Sequence, residues 1–177
     1  MALFYITGTS GSGKSSVQEN LAQLGYKALD TDTSINDWHD RQTGQLVTFS
    51  PGKSEDPEET TKWVLDHDFL MSETKVRQLA DEAKSEDIFI CGHASNDINF
   101  MNYFNKVFCL LLSEEETRNR LSSRTNNTWG NDPGQLSHLM KWYKPMIERY
   151  ENWGATMIDA SLPVVEVVGS IIELTKS

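Results

Sequence analysis

Apolar positions along this chain come in short dense runs separated by longer stretches with helical spacing. Leu3-Phe4-Tyr5-Ile6, Ile88-Phe89-Ile90-Cys91-Gly92 and Val107-Phe108-Cys109-Leu110-Leu111-Leu112 are near-continuous, as expected for strands buried on both faces of a parallel sheet. Shorter strands are predicted at Gly25-Tyr26-Lys27-Ala28-Leu29 and Thr156-Met157-Ile158. Val17, Leu21 and Leu24 fall at i, i+4 and i+7 and predict a helix after the first run. Further helices are predicted at Ile35 to Gln42 (closed by Gly44), from about Pro57 to Lys84 with a break near Ser72, and at Asn96 to Asn105. Glu114 to Arg124 carries a capping-box pattern, Ser113 followed by Glu116, with acids in its first turn and arginines in its last turns. Gln135 to about Glu151 reads as a helix, and Pro163 opens a C-terminal one. Residues 48–60 and 125–134 read as turn-rich loops. Five strands alternating with helices predict a parallel sheet covered by helices on both faces. Right-handed crossovers restrict its topology.

Composition narrows the partners. The chain has 177 residues and 38% hydrophobic content, which suits one globular domain over residues 1–177. A formal net charge of −10 argues against a nucleic-acid backbone or an anionic membrane as partner. Cys91 and Cys109 lie in apolar runs without metal-ligand spacing and read as buried free thiols, consistent with a reducing cytosol. With the first strand at the very start of the chain and no run of membrane-spanning length, the expectation is a cytoplasmic protein, monomer or homodimer.

Candidate chemistry concentrates directly after the first strand. Gly8-Thr9-Ser10-Gly11-Ser12-Gly13-Lys14-Ser15 fits G-x-x-x-x-G-K-[ST], placed between strand and helix as the pattern requires. Glycines let the backbone wrap closely around phosphate oxygens, and the helix N-terminus adds partial positive charge. Gly8, Gly11, Ser12, Gly13, Lys14, Ser15 and Ser16 are therefore candidate nucleotide-binding residues. Lys14 is expected at the β- and γ-phosphates of ATP and the Ser15 hydroxyl on Mg²⁺.

Asp30-Thr31-Asp32 follows the second strand, at the carboxyl end where open α/β sheets bind ligands. Alternation along a strand would point both acids to one side; the blander alternative is a solvated acidic turn. Arg120 and Arg124 share a helix face at i, i+4, and could clamp a transferring phosphoryl group. Arg118 and Arg120 could instead pair with Glu114 and Glu116 on a solvated surface.

With these features in place, the chain resembles the small P-loop kinases, the shikimate kinases and adenylate-kinase-like proteins. The resemblance implies a three-layer α/β/α P-loop NTPase fold with sheet order 2-3-1-4-5. It also implies a lid at 125–134 and an acceptor-binding segment at 34–84. Asp30-Thr31-Asp32 looks like the Asp-Ser-Asp of shikimate kinases, which implies Asp30 as a metal residue through water and Asp32 as the acceptor-hydroxyl residue. Arg120-Leu121 and Arg124-Thr125 look similar to the arginine pairs heading the shikimate kinase lid. Asp159 and Ala160, after the last strand, would run along the adenine. The activity implied is transfer of the γ-phosphoryl of Mg-ATP to a small-molecule, nucleoside or nucleotide acceptor.

This chain departs from shikimate kinases in two places. It reads Gly92-His93-Ala94 where they carry three glycines, and Asp68-Phe69-Leu70-Met71 where they carry an arginine for the acceptor carboxylate. Shikimate itself is therefore not the expected acceptor. His93 and Arg41 are the remaining candidate acceptor contacts. His39, His67 and His138 read as surface or packing residues, and Trp38, Trp63, Trp142 and Trp153 as packing anchors. Trp129 lies in the lid segment, where closing over the nucleotide is one reading. The competing function is a nucleotide-dependent regulatory switch without a small acceptor, although the Asn-Lys-x-Asp signature of guanine recognition is absent.

Overall fold

The computed structural model describes residues 1–48, 56–125 and 129–176. At its centre is β1 (Leu3–Gly8), whose six residues are all buried. It lies between β6 (Ile88–Cys91) and β7 (Lys106–Leu111), with β2 (Lys27–Asp30) beyond β6 and β8 (Thr156–Asp159) beyond β7. All four pairings are parallel. Among these five strands in chain order the sheet runs 2-3-1-4-5; numbered over the whole chain it is β2-β6-β1-β7-β8, because three further strands intervene.

Packing follows from the two-sided burial of the central strands. On one face, Leu3, Tyr5, Ile88, Ile90 and Cys109 pack with Val76 and Leu79 of α4 (Glu73–Glu82) and Tyr150 of α7 (Tyr143–Asn152). On the other, Phe4, Ile6, Phe89, Phe108 and Leu110 pack with Val17 and Leu21 of α1 (Lys14–Gln23) and with Val167, Val168 and Ile171 of α8 (Val164–Thr175). Leu24 is not on this face: it caps the C-terminus of α1 and is 59% exposed. Both cysteines are free and buried, and loss of hydration pushes the Cys109 thiol up to about 12.

The segment after β2 differs most from the sequence reading. Asp30 closes the strand and its carboxylate accepts the Asp32 N–H (2.8 Å), capping the single helical turn α2 (Thr31–Ser34). The two acids are thus set by a cap and a turn, not by alternation along a strand. Residues 35–42 are not helical. Asn36–Asp40 is strand β3, paired antiparallel with β4 (Leu46–Val47) and with β5 (His67–Met71) in a second, three-stranded sheet. The helix expected from Pro57 to Lys84 is accordingly α3 (Pro57–Asp66), then β5, then α4.

Nothing local announces this sheet, because β3 has a single large apolar residue and no breaker precedes β5. Its stability comes from cross-strand packing. Trp38 stacks on its register partner Phe69 (4.4 Å), Trp63 of α3 meets Trp38 edge-on (4.6 Å), and His67 stacks on Trp63 (4.0 Å).

Residues 97–103 form the expected short helix as a 3-10 turn, Asp97–Tyr103. The helix expected at 135–151 is two, α6 (Pro133–Lys141) and α7, meeting at Trp142. The loop at 48–60 falls mostly on residues 49–55, outside the described residues, as do 126–128 of the expected lid. No helix among the described residues is long and apolar enough to cross a membrane.

Candidate functional site

β1 ends at Gly8 and α1 begins at Lys14, so the intervening loop sits at the carboxyl end of the central strand. Gly13 is the N-cap of α1 in a left-handed conformation (φ 97°), and no side chain caps this end. The first N–H groups of the helix are therefore left for an external anion. Ser12 Oγ and Thr9 Oγ1 are buried without a hydrogen-bond partner, polar atoms that a phosphate in the loop would satisfy. Lys14 Nζ donates to the Gly8 and Thr9 carbonyls (3.0 and 2.9 Å). Crowding by the loop lowers its pKa, and the nearby Arg124 charge lowers it further, while Asp32 opposes. The loop thus fits a polyphosphate on geometry and charge.

Ser15 Oγ and Asp30 Oδ2 lie 3.4 Å apart on the rim of the same loop. A hydroxyl beside one carboxylate fits Mg²⁺, which keeps water and phosphate ligands and needs few from protein. No group of three or more His, Cys, Asp or Glu side chains that could hold a metal occurs among the described residues.

Asp32 is an exposed residue of the turn that Asp30 caps. Water reaches it from the open side, while protein atoms crowd it elsewhere and raise its pKa; the Asp30 charge adds to this, and Lys14 and His93 oppose it. Its position depends on Gly92 at the end of β6. A Cβ there would lie 1.7 Å from Thr31 Oγ1, so only glycine lets α2 pack this close. Thr31 Oγ1 in turn donates to Asp32 Oδ1 (3.1 Å) and accepts from the His93 N–H (3.3 Å).

The arginines come from α5 (Glu114–Ser123), started by a complete Ser113–Glu116 capping box. Arg120 donates to the Ala160 carbonyl (3.0 Å) and passes beside Gly13, bridging the phosphate loop to the turn after β8. In that turn Asp159 is held below its ordinary value by the Ser161 hydroxyl and N–H, and Ala160 donates its N–H to Leu111. Arg124 ends α5; one guanidinium nitrogen donates to the Trp129 carbonyl, and its buried Nε lacks a partner. Burial lowers its pKa, as expected for a guanidinium turned inward. Arg118 pairs with Glu114 (3.0 Å) along the helix surface, and Ser16 is an exposed residue of the first turn of α1.

Arg41 lies just past β3, five positions beyond Asn36 and so roughly 16 Å along the strand. Its guanidinium is engaged by Asp68 (2.8 Å) and by the Leu65 and His67 carbonyls. His93 instead follows β6 directly and sits next to α2.

Behind His93 lies a buried polar network that the sequence reading missed. Asp97 is fully buried and accepts from Tyr5 Oη (3.0 Å), Tyr150 Oη (2.7 Å) and Arg149 (2.9 Å). Tyr150 Oη also accepts from Thr7 Oγ1 (2.8 Å) and contacts His93 Nδ1 (3.0 Å). Burial alone would raise the Asp97 carboxyl; the hydrogen bond and charge of His93, with Tyr150 and Arg149, hold it below its ordinary value. One of its hydrogen bonds, Thr7 to Tyr150, spans 143 residues of sequence, and its tyrosines and acid each alone read as a core tyrosine or a helix-end acid.

Phosphate loop, parallel sheet order and arginine-bearing helix together define a P-loop fold of the nucleotide and small-molecule kinase type. The family model for the AAA domain matches residues 5–136, and the chain belongs to that family. No curated protein matches it in sequence. Among solved structures it is similar to a shikimate kinase from Acinetobacter baumannii in complex with shikimate, at 20% identity and TM-score 0.61, covering 99% of this chain and 93% of that one. It is also similar to a gluconokinase from Sinorhizobium meliloti 1021 (19% identity, TM-score 0.55, 94% and 87% covered). A third is the deoxyadenosine kinase from M. mycoides with bound dATP (17%, 0.53, 99% and 100%).

Proposed function

We propose that the protein is an ATP-dependent phosphotransferase that moves the γ-phosphoryl of Mg-ATP to a hydroxyl of a small acceptor. The observation that carries this reading is the placement of Asp32. Its carboxylate, more basic than usual, follows β2 in the turn capped by Asp30, close enough to the lysine of the phosphate loop for the two charges to act on each other. A carboxylate there can orient an attacking hydroxyl and take its proton.

In this reading the loop N–H groups and Lys14 hold the β- and γ-phosphates. Ser15, with Asp30 through water, would hold Mg²⁺, which supplies charge neutralisation between those phosphates. The acceptor oxygen bonds to γ-phosphorus as the bond to the β–γ bridging oxygen breaks; the hydroxyl proton passes to Asp32, and ADP leaves. Arg124 and Arg120 stabilise charge on the transferring group, and Asp159 and Ala160 border the adenine. Residues 125–134 act as the lid and 34–84 as the acceptor segment.

Two substitutions test the assignment together. Lys14→Ala is expected to abolish acceptor-dependent ADP release while leaving thermal unfolding unchanged. Asp32→Asn is expected to keep ATP affinity by calorimetry but lose acceptor-stimulated turnover by about 100-fold or more, the usual worth of a positioned base. Wild-type turnover by either variant refutes the site.

A further inference from the structure

Between α4 and the 3-10 turn Asp97–Tyr103 lies a groove of about 540 Å³ that shares no residue with the phosphate loop, the Asp30–Asp32 turn or α5. We propose that it docks an extended segment of a partner protein, whose main chain is read by Asn99 and Asn102. A period in the sequence leads to this. Asparagine recurs at positions 96, 99, 102 and 105. Residues three apart in a 3-10 turn eclipse one another at a rise of roughly 6 Å, so Asn96, Asn99 and Asn102 fall in one row, and all three line the groove. The outer members of the series already bind main chain. Asn96 closes both main-chain groups of Met71 at the end of β5, accepting its N–H at 2.8 Å and donating to its C=O at 3.1 Å. Asn105 accepts the Leu3 N–H at 2.9 Å. The two between, Asn99 and Asn102, are exposed, and their side-chain amides make no hydrogen bond among the described residues.

Asn96 shows what a free amide in this row asks for. A primary amide both donates and accepts, and one residue of an extended chain presents its N–H and C=O on one edge, the pair that Met71 gives. Along such an edge the next pair comes two residues on, roughly 6.6–6.8 Å away. The asparagine repeat of roughly 6 Å is close to that distance, so Asn99 and Asn102 can take alternate residues of one extended segment. Strand β5 does not continue along the row, because after Met71 the chain enters α4. Phe100 and Tyr103 give the groove an apolar lining for a side chain of the segment. On the α4 wall, Glu73 and Arg77 pair with each other (2.6 Å), and the guanidinium lies over the Tyr103 ring (5.8 Å). The charges there balance, so a neutral main chain meets no unpaired ion. Main-chain bonds then supply affinity and the apolar lining selects the side chain, as in recognition by strand addition.

The probe is a library of random heptapeptides displayed on phage, panned on the full chain and counter-selected on the Asn99→Ala/Asn102→Ala double variant. Neither side chain is bonded within the fold, so the double variant should unfold at the wild-type temperature. We expect enriched peptides that share an apolar position without fixed flanks. Synthesised, they should bind the double variant about tenfold or more weakly in calorimetry, the effect of losing two hydrogen bonds. N-methylation at alternate peptide amides should weaken binding to the wild type in the same way, because it removes main-chain donors and leaves every side chain in place. On titration the side-chain NH2 signals of Asn99 and Asn102 should shift in nitrogen NMR. Three results each overturn the inference: no peptide enriched over the double variant, binding indifferent to N-methylation at every amide, or a wild-type dimer that dissociates in the double variant and so gives the groove to a second copy. All three leave the phosphotransferase reading standing, since its residues lie elsewhere.

Discussion

Among single residues, Asp97 carries the largest energetic stake. A fully buried carboxylate is tolerated only when its charge and lone pairs are answered, and here Arg149, Tyr5, Tyr150 and His93 answer it. Removing the carboxylate charge leaves Arg149 without its ion partner, so Asp97→Asn should destabilise the fold by about 3 kcal/mol in denaturant unfolding. The pH dependence follows from the depressed pKa. A carboxyl whose folded value lies below its unfolded one contributes stability above the unfolded pKa and loses it as pH falls through the folded one. Acid unfolding of the wild type should therefore show a loss that the Asn variant lacks. Asp32 has the opposite sign: its raised pKa makes the ionised form a cost to the fold, so the Asn variant that loses turnover should not lose thermal stability.

At the scale of elements, the contact between Gly92 and Thr31 holds the acid-bearing turn against the sheet. Gly92→Ala forces a Cβ onto Thr31, and overpacking at a rigid backbone position costs about 1–3 kcal/mol. Because Thr31 hydrogen-bonds Asp32 and the His93 N–H, the same change should cut acceptor-dependent turnover more than ATP affinity, measured by paired kinetics and calorimetry. How legible the elements were follows from their physics. Phe89 and Phe108 sit in runs apolar enough to announce buried strands, and Gly8 to Ser15 is a local pattern whose chemistry needs no partner. Trp38 and Phe69 become strand residues only by pairing with each other; the one large apolar residue of β3 and the unbroken Phe69-Leu70-Met71 of β5 give no alternation to read. Asp97, Tyr150 and Thr7 were beyond reach for the same reason: their meaning lies in a contact that closes across most of the chain.

For the whole molecule, the candidate site joins segments that are far apart in the sequence. Lys14 comes from the first loop, Asp32 from the turn after β2, His93 from the end of β6, Arg124 from the end of α5, and the turn at Asp159 from the last strand. The arginines come to the loop through α5, and Asp32, the acceptor acid of the proposed reaction, through α2. Replacing Arg124 with Ala should therefore lower kcat with little change in acceptor KM, and Lys should restore only part of it, because a point charge cannot reproduce a guanidinium fork. Steady-state kinetics with varied acceptor separate these outcomes.

The central position of β1 also bears on how the chain acquires its structure. Phe4 finds its sheet neighbours in Phe89 and Lys106, so β1 is made before either of its flanking strands and waits for both. Pairings of such long range are slow, since loop-closure entropy is spent before any contact rewards it. During that interval Leu3 to Ile6 is an unpaired edge, the kind of surface on which nascent chains self-associate. Refolding from denaturant should accordingly be slow and lose yield as protein concentration rises, and a fragment ending before β7 should remain unfolded.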